Sequence, residues 1–298
     1  MDLGKSLRAF ANPPTPWQTT RTSATFLLAA SIGIIRSNMQ PCKALLTREL
    51  SQFRPWIRRG EVEGDDIRFK PGSSLPVYFT HWRYPIESSY TISPEGHENT
   101  LRLTPSDLNL TALNGNYAGP GGQTFVARRQ QDTLFTYSVT LDFSPSVAEE
   151  EAGVSAFLTQ NHHLDLGVVM LPASRQTQPF PGVESSSSDS DDLILHFRYR
   201  GESYDPVPEE IIAPVPDVWV GKPLRLEIKA INFTHYAFSA GPADALFEMR
   251  TLLYASVDVL SWGFTGVLLG AFATNNGGGG STPAYISHWT YEPQGQFR

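Results

Sequence analysis

The chain has 298 residues, a formal net charge of −7, a single cysteine and only 18% charged residues. The lone Cys42 excludes an internal disulfide, and no Cys/His spacing typical of a structural zinc site is present. The charge is divided unevenly: residues 1–74 carry 11 Lys/Arg and 6 Asp/Glu, whereas residues 75–298 carry 12 and 24. Because phosphate backbones attract clustered Lys and Arg, the acidic majority of the chain predicts no nucleic-acid partner.

The chain opens with a basic N-terminal segment. Its apolar run, residues 24–35, spans 12 residues between Arg21 and Arg36. A membrane-spanning helix needs about 20 such residues, so we expect no membrane span. The run suits the core of a signal peptide, its Arg-rich flanks suit an organelle transit peptide, and a helical or poorly ordered appendage is the third interpretation. No clear cleavage site follows, which favours a cytoplasmic location and leaves secretion open.

The segment that follows is polar and punctuated by glycine, which is typical of a linker over residues 54–70. The strand pattern begins near Leu75. We therefore predict an N-terminal appendage and linker over residues 1–70, helical or partly disordered, and one folded domain over residues 71–298.

Alternation of apolar and polar residues predicts strands, because successive side chains of a strand point to opposite faces. The clearest case is residues 135–143, with Phe, Tyr, Val, Leu and Phe at every second position. Many half-buried strands without long helical stretches between them are typical of two stacked antiparallel sheets. We therefore predict an all-β fold, a two-sheet antiparallel β-sandwich. The further predicted strands are 77–82, 89–93, 99–104, 193–200, 224–230 and 285–291.

Two segments of small polar residues predict loops. Residues 108–122 are rich in Asn and Gly, and Ser185–Asp192 contains only Ser and Asp. Such a run is a solvated, mobile tip in most proteins, with calcium ligation and phosphorylation as the alternatives. We expect no cofactor, and structural calcium is left open.

Carboxylate pairs are the chemical signature of glycoside hydrolysis, and the chain offers none that fits. The nearest candidate, residues 63–68, ends in Arg68 and lies outside the strand pattern, so we interpret it as linker. The run Glu149–Glu151 is predicted to be a solvated turn. His162 and His163 would point to opposite faces of a strand, so only His163 and Asp165 would share a face. We interpret that pair as hydrogen-bonding residues rather than metal ligands.

Aromatic residues are the stronger indication of function, because sugar rings stack their apolar faces on aromatic planes. Trp262 and Phe264 lie at a predicted turn, whereas Trp289 lies in a strand and is predicted to be core. Alternation sends one of Arg128 and Arg129 inward, where it needs an acidic partner. The candidate carbohydrate-binding residues are Phe264, Trp262, Trp82 and Arg128.

Several motifs together resemble a known family. They are GQTFVARRQQDTLFTYSVTLDFSP, EEEAGVSAFLTQ, LRLEIKA, GFTGVLLGAFAT, AYISHWTYEP and the earlier WRYPIESSYTISPEGHENTLRLTPS. In this order, over roughly residues 70–295, they resemble the C-terminal concanavalin A-like β-sandwich of family 43 glycoside hydrolases, the β-xylosidases and α-L-arabinofuranosidases. The resemblance implies a concanavalin A-like jelly roll.

What the resemblance implies for activity is narrower. In that family, catalysis belongs to an N-terminal five-bladed propeller with two Asp and one Glu, and residues 1–70 do not resemble propeller blades. No catalytic residue is therefore carried over, and whether the chain is an enzyme stays open. In relatives the sandwich packs against the propeller and lends an aromatic side chain to the substrate pocket, a position that Phe264 matches here.

These points predict an ancillary, non-catalytic domain of the β-xylosidase lineage, linked to hemicellulose breakdown. The expected partners are xylan- or arabinan-derived saccharides and a catalytic propeller domain. A free-standing carbohydrate-binding module and a fragment of an active β-xylosidase or arabinofuranosidase are the alternatives.

Two N-glycosylation sequons, at Asn109 and Asn232, are also present, and the second lies between predicted strands.

Overall fold

The protein is an antiparallel β-sandwich. The computed structural model describes residues 64–113, 122–183, 190–263 and 265–295. The strands are β1 (Asp65–Ile67), β2 (Tyr90–Ile92), β3 (Leu101–Leu103), β4 (Thr124–Arg129), β5 (Leu134–Asp142), β6 (Glu151–Thr159), β7 (His162–Pro172), β8 (Leu193–Glu202), β9 (Ile211–Pro214), β10 (Leu224–Ala230), β11 (His235–Pro242), β12 (Arg250–Ser256), β13 (Leu268–Thr274) and β14 (Ala284–Gly295).

The strands form two sheets that face each other. The eight-stranded sheet has the order β12-β11-β10-β5-β14-β3-β2, with β1 added beside β14, and the six-stranded sheet has the order β4-β13-β6-β7-β8-β9. In the described segments between strands, the helical turns are all 3₁₀ turns of three or four residues. The two-sheet antiparallel sandwich predicted from the alternation is confirmed.

The core lies between the sheets, where the predicted alternation places it. In β5, Tyr137, Val139 and Leu141 are buried against the other sheet, and in β10, Leu226 and Ile228 are fully buried. Trp289 has no exposed surface, which confirms its prediction as a core residue. Burial of these large side chains supplies most of the driving force for folding.

One strand does not keep the predicted alternation. A β-bulge in β14 shifts the register on β5 between Ser287 and Thr290, and His288 inside it has a φ of 47°. An extra residue of this kind reverses the side on which later residues lie. Tyr285 is therefore only partly buried, whereas Trp289 and Tyr291 fill the core. The strand predicted over 285–291 is confirmed, but its alternation is interrupted by the bulge.

The start of the sandwich differs from the predicted boundary at residue 70. Residues 65–67 are not linker, because β1 pairs with Trp289–Tyr291 of β14. Phe69 is 2% exposed and belongs to the main core, and the compact unit of the sandwich runs Val62–Arg298. Conversely, residues 77–82 form a single bridge, from Thr80 to Ala127, rather than the predicted strand.

One end of the sandwich, here called the rim, gathers the connections β4–β5, β6–β7, β8–β9, β10–β11 and β12–β13. The strand registers require this, since β4 ends and β13 begins side by side at Arg129 and Leu268, and β6 and β7 meet at Thr159 and His162. The described rim segments are residues 130–133, 160–161, 203–210, 231–234, 257–263 and 265–267.

The N-terminal predictions lie outside the described residues. These concern the apolar run 24–35, Arg21 and Arg36, and the linker up to residue 63. Within the described ranges, no helix is long and apolar enough to cross a membrane.

Candidate functional site

An aromatic cluster on the rim is the candidate site. His162, the first residue of β7, stacks on Trp262 with ring centroids 4.9 Å apart and planes inclined by 8°. Tyr204 meets the edge of the same imidazole at 4.8 Å and 89°. His162 is 2% exposed, whereas Trp262 is 56% and Tyr204 is 76% exposed. The cluster therefore presents two aromatic side chains to solvent on a buried histidine.

The electrostatics of His162 favour a neutral ring. Burial lowers the pKa of His162, and the nearby carboxylates of Asp205 and Glu202 only partly oppose this. Its Nδ1 lies 3.1 Å from the hydroxyl of Thr159, which fixes the ring at the turn between β6 and β7. A neutral, oriented imidazole gives Trp262 a flat surface on which to stack.

Trp262 is thus placed where the sequence predicts, exposed at a turn. Phe264 lies outside the described residues, so its predicted role stays a prediction. Sequence reasoning missed Tyr204 and Phe233, two further exposed aromatic side chains of the rim. Both lie in irregular connections, where no alternation marks a residue as a surface group, and the sequence does not indicate that His162 stacks on Trp262.

Trp82 is half-buried and packs against the protein. Its ring packs edge-on against Phe157 at 5.2 Å, within a small core cluster on the outer face of the six-stranded sheet. The guanidinium of Arg83 lies 5.5 Å from the ring centroid of Trp82, and Arg83 also bonds Gln160 of the β6–β7 turn at 2.9 Å. The carbohydrate-binding role of Trp82 stays a prediction.

Arg128 is the inward arginine of its pair and not a surface ligand. It is 2% exposed, and its Nη1 lies 2.6 Å from Oδ2 of Asp65. Its guanidinium also lies 3.7 Å from the ring centroid of Tyr291. Arg129 points outward, as the alternation requires. The expected acidic partner exists, but the carbohydrate-binding role predicted for Arg128 is wrong, because its donors are engaged inside the protein.

The acidic run predicted as a solvated turn is largely buried. Glu150 and Glu151 are each 1% exposed. The carboxylate of Glu151 accepts hydrogen bonds from Arg198 at 2.5 Å and from Arg200 at 2.9 Å. Burial raises the pKa of Glu151, but the charges and hydrogen bonds of the two arginines outweigh burial and lower this pKa to about 2. A permanently ionised, paired carboxylate is a structural group rather than a general acid.

His163 and Asp165 do share a face of β7, as predicted. They are buried on the outer face of the six-stranded sheet, with Nδ1 of the histidine 2.9 Å from the carboxylate. Among the described residues, no group of three His, Cys, Asp or Glu is placed to hold a metal ion. Residues 185–189 of the Ser/Asp run lie outside the described ranges, so the mobile tip and the calcium alternative stay predictions.

The fold and the motifs together define a class, the concanavalin A-like β-sandwich. Residues 67–292 match the model of the β-xylosidase C-terminal concanavalin A-like domain. The chain belongs to this family, and the resemblance inferred from the sequence is confirmed.

Individual relatives agree. The chain is 26% identical over 214 residues to the non-reducing end α-L-arabinofuranosidase BoGH43B of Bacteroides ovatus, covering 71% of this chain and 34% of that protein. A solved structure of Bacteroides ovatus xyloglucan PUL GH43B superposes with a TM-score of 0.56 at 23% identity, over 79% of this chain and 39% of that one. The solved structure of the xylan β-1,4-xylosidase from Bacillus halodurans C-125 superposes with a TM-score of 0.56 at 20% identity, over 79% of this chain and 40% of that one. The chain thus spans little more than a third of the length of these relatives.

Proposed function

We propose that this domain is an ancillary, non-catalytic part of a glycosidase system that acts on xylan- or arabinan-derived saccharides, and that its rim is the surface that meets a catalytic domain. The observation that carries the proposal is the exposed aromatic cluster on the rim. Tyr204 and Trp262, which both pack on His162, are 76% and 56% exposed there. Phe233, in the separate β10–β11 connection of the rim, is 48% exposed. Exposed aromatic side chains gathered at one place mark binding surfaces rather than ordinary protein surface.

The path of the chain also favours the rim as the surface that meets a catalytic domain. β1 runs antiparallel to β14, with Asp65 opposite Tyr291 and Ile67 opposite Trp289. Because β14 continues to Gly295 beside Leu134 at the rim, Gly64 enters the sandwich from the rim end. In proteins of this family the catalytic domain precedes the sandwich, so a preceding domain is delivered to the end where the aromatic side chains are exposed.

The electrostatics of the buried carboxylate support a non-catalytic role. Glycoside cleavage needs a protonated acid and a second carboxylate about 5–10 Å apart. Glu151 combines a lowered pKa with two arginine partners, so it keeps its negative charge and has no proton to donate at neutral pH.

A graft tests the proposal. Residues 64–298 would replace the C-terminal sandwich of the Bacteroides ovatus arabinofuranosidase, and hydrolysis of an aryl α-arabinofuranoside would be measured. We expect activity in the graft and none in the isolated chain. Trp262→Ala should lower the activity of the graft several-fold. Phe247→Ala is the matched control, since Phe247 is 83% exposed in the β11–β12 connection, at the end of the sandwich opposite the rim. Turnover by the isolated chain, or equal losses in both variants, would contradict the proposal.

A free-standing carbohydrate-binding module is the second candidate, favoured by the same exposed indole of Trp262. It makes a different prediction, namely that the isolated chain binds xylo- or arabino-oligosaccharides in calorimetry and that Trp262→Ala abolishes the binding. Absence of binding at millimolar oligosaccharide, together with an active graft, would leave the ancillary role as the function.

A further inference from the structure

A cavity opens at the end of the sandwich opposite the rim, here called the base, where the β5–β6, β7–β8 and β9–β10 connections lie. Its volume is about 530 Å³, within the range of about 300–1,000 Å³ that small-molecule sites occupy. The strand β8 runs from Leu193 beside the cavity to Glu202 near the rim. The cavity and the aromatic cluster of the rim therefore lie at opposite ends of the molecule.

One wall of the cavity continues the apolar face of β8. Leu193, Leu195, Phe197 and Tyr199 occupy alternate positions of this strand and so share its inner side. Phe197 and Tyr199 are fully buried in the core, Leu195 is half-buried, and Leu193 is 42% exposed. Both leucines line the cavity. The apolar face of the strand therefore extends past the core and forms a cavity wall.

Apolar side chains of two other segments complete the lining. Met170 of β7 lies opposite Leu195 in the sheet and is half-buried. Val215 and Val220 come from the β9–β10 connection, and Val220 is 50% exposed. Concave apolar surface in contact with water is the usual mark of a binding site, because covering it releases that water.

Main-chain hydrogen bonds fix the segments that line the cavity. The N–H of Val215 donates to the carbonyl oxygen of Leu195 at 2.9 Å, and the N–H of Ala173 donates to the carbonyl oxygen of Asp192 at 2.9 Å. These bonds join the β9–β10 connection to β8 and the end of β7 to the residues before β8. The lining is therefore formed before a ligand enters, which avoids the cost of ordering it on binding.

The polar groups of the lining are neutral or acidic. Ser144 and Gln176 are neutral, whereas Asp192 and Asp217 are acidic and exposed. The described residues of the lining include no Lys, Arg or His. Neither aspartate forms an ion pair with another residue of the described ranges. An anionic ligand would thus meet two like charges, which repel it, whereas a neutral or cationic ligand would not be repelled.

We propose that the base cavity is a binding site for small amphipathic molecules with an apolar chain or ring and a neutral or cationic polar end. The apolar part packs against Leu193, Leu195 and Val220 and supplies the affinity. The polar end lies beside Asp192 and Asp217, which select against anions. The inference is independent of the proposed function, because the cavity lies away from the rim that meets a catalytic domain.

Three probes that share an octyl chain and differ in the polar end test the site. Octyl β-D-glucoside, octyltrimethylammonium and octyl sulfate are added to the isotope-labelled full chain below their micelle-forming concentrations, and NMR resonances are followed. We expect saturable shifts at Leu193, Leu195 and Val220 with the glucoside and the ammonium. Octyl sulfate should bind about tenfold more weakly, because its charge is repelled. Methyl β-D-glucoside, which lacks the chain, should cause no shift.

Variants separate the apolar wall from the acidic mouth. Leu193→Asp should abolish the shifts caused by the glucoside. Leu246→Asp is the matched control, since Leu246 is 60% exposed in the β11–β12 connection of the same end and does not line the cavity. The double variant Asp192→Asn, Asp217→Asn should bind octyl sulfate as well as the glucoside. Melting temperatures are measured alongside; if Leu193→Asp unfolds, the double variant of two exposed residues carries the test.

The outcomes are distinct from those of the graft. The site is overturned if none of the octyl probes causes saturable shifts at the cavity, or if Leu193→Asp and Leu246→Asp lose binding equally. The assigned ligand class is overturned if the wild-type protein binds octyl sulfate as tightly as the ammonium. In the graft, Leu193→Asp should leave the hydrolysis of the arabinofuranoside unchanged, so a failure of the cavity and a failure of the rim are read separately.

Discussion

Asp65 of β1 and Arg128 of β4 form a buried ion pair that joins the two sheets of the sandwich. Their side chains are 9% and 3% exposed, and the Nη1 to Oδ2 distance is 2.6 Å. The pair explains why a three-residue strand is held firmly beside β14. A charge left unpaired in such a site is much more costly than the loss of one contact.

We therefore expect Arg128→Met to reduce the free energy of unfolding by about 3–5 kcal/mol, since it leaves the carboxylate of Asp65 buried without a partner. The double variant that adds Asp65→Asn should recover part of the loss. Arg68→Met is the control, because the pair of Arg68 with Asp66 is exposed on both sides, and it should have no measurable effect. Urea denaturation measures all three, and equal stability of Arg128→Met and wild type would contradict the role of the pair.

The position of β1 leads to a prediction about truncation. A protein that begins at Val62 should keep the melting transition of the sandwich, whereas one that begins at Pro71 loses β1, the buried Phe69 and the acidic partner of Arg128. Loss of a buried phenylalanine alone costs about 3–5 kcal/mol. At about 2–4 °C per kcal/mol for a domain of this size, the shorter protein should melt more than about 10 °C lower in calorimetry. Similar transitions would place the boundary at residue 70 after all.

The sequence shows the strands but not the partners of buried charges. β5 and β10 are predictable because one face of each is polar, and period two is then visible. The Arg128–Asp65 and Arg198–Glu151 contacts join residues 63 and 47 positions apart, and alternation along a strand does not specify which residue of another strand lies opposite. The same limit explains why Glu151 was predicted to be solvated. The bulge at His288 could not be predicted from the sequence either, because residues 285–291 contain no glycine or proline that would indicate it.

The side chain of Glu151 occupies the space beside Gly167 that a Cβ would fill, and from there its carboxylate contacts Arg198. A Cβ at position 167 would stand 2.8 Å from Oε1 and 3.0 Å from Cγ of Glu151. We expect Gly167→Ala to push this carboxylate away from its arginines and to destabilise the protein by about 3 kcal/mol or more, as breaking a buried pair does. Gly279→Ala is the control, because a Cβ there meets no atom within 4 Å. Equal denaturation midpoints for the two variants would contradict this account.

The same network predicts a loss of stability in acid. The pKa of Glu151 is about 2 in the folded protein, against 4.5 for an unperturbed glutamate, the value expected in the unfolded chain. A lowered carboxylate pKa contributes stability that is complete above the unfolded value and is lost as the pH falls towards the folded value. The free energy of unfolding should therefore decrease between pH 4.5 and 2. Glu151→Gln should be less stable at neutral pH and show a shallower decrease in that window; an unchanged slope would rule out the assignment.

The two sequons should behave differently if the chain is passed through a eukaryotic secretory pathway behind a leader. Asn109 is 7% exposed, its Nδ2 donates to Asn276 at 3.0 Å, and its Oδ1 accepts from the N–H of Leu113. Asn232 is exposed in the β10–β11 turn, where its Oδ1 accepts from the N–H and the hydroxyl of Thr234. Among the described residues, the Nδ2 of Asn232, the atom that would carry a glycan, has no hydrogen-bond partner. We therefore expect folded, secreted protein to carry glycan at Asn232 and not at Asn109, as read by peptide mass spectrometry with and without glycan removal.

Asn232→Gln should abolish the mass shift and Asn109→Gln should lower stability instead. Folded protein glycosylated at Asn109 would show that its buried hydrogen bonds are not required.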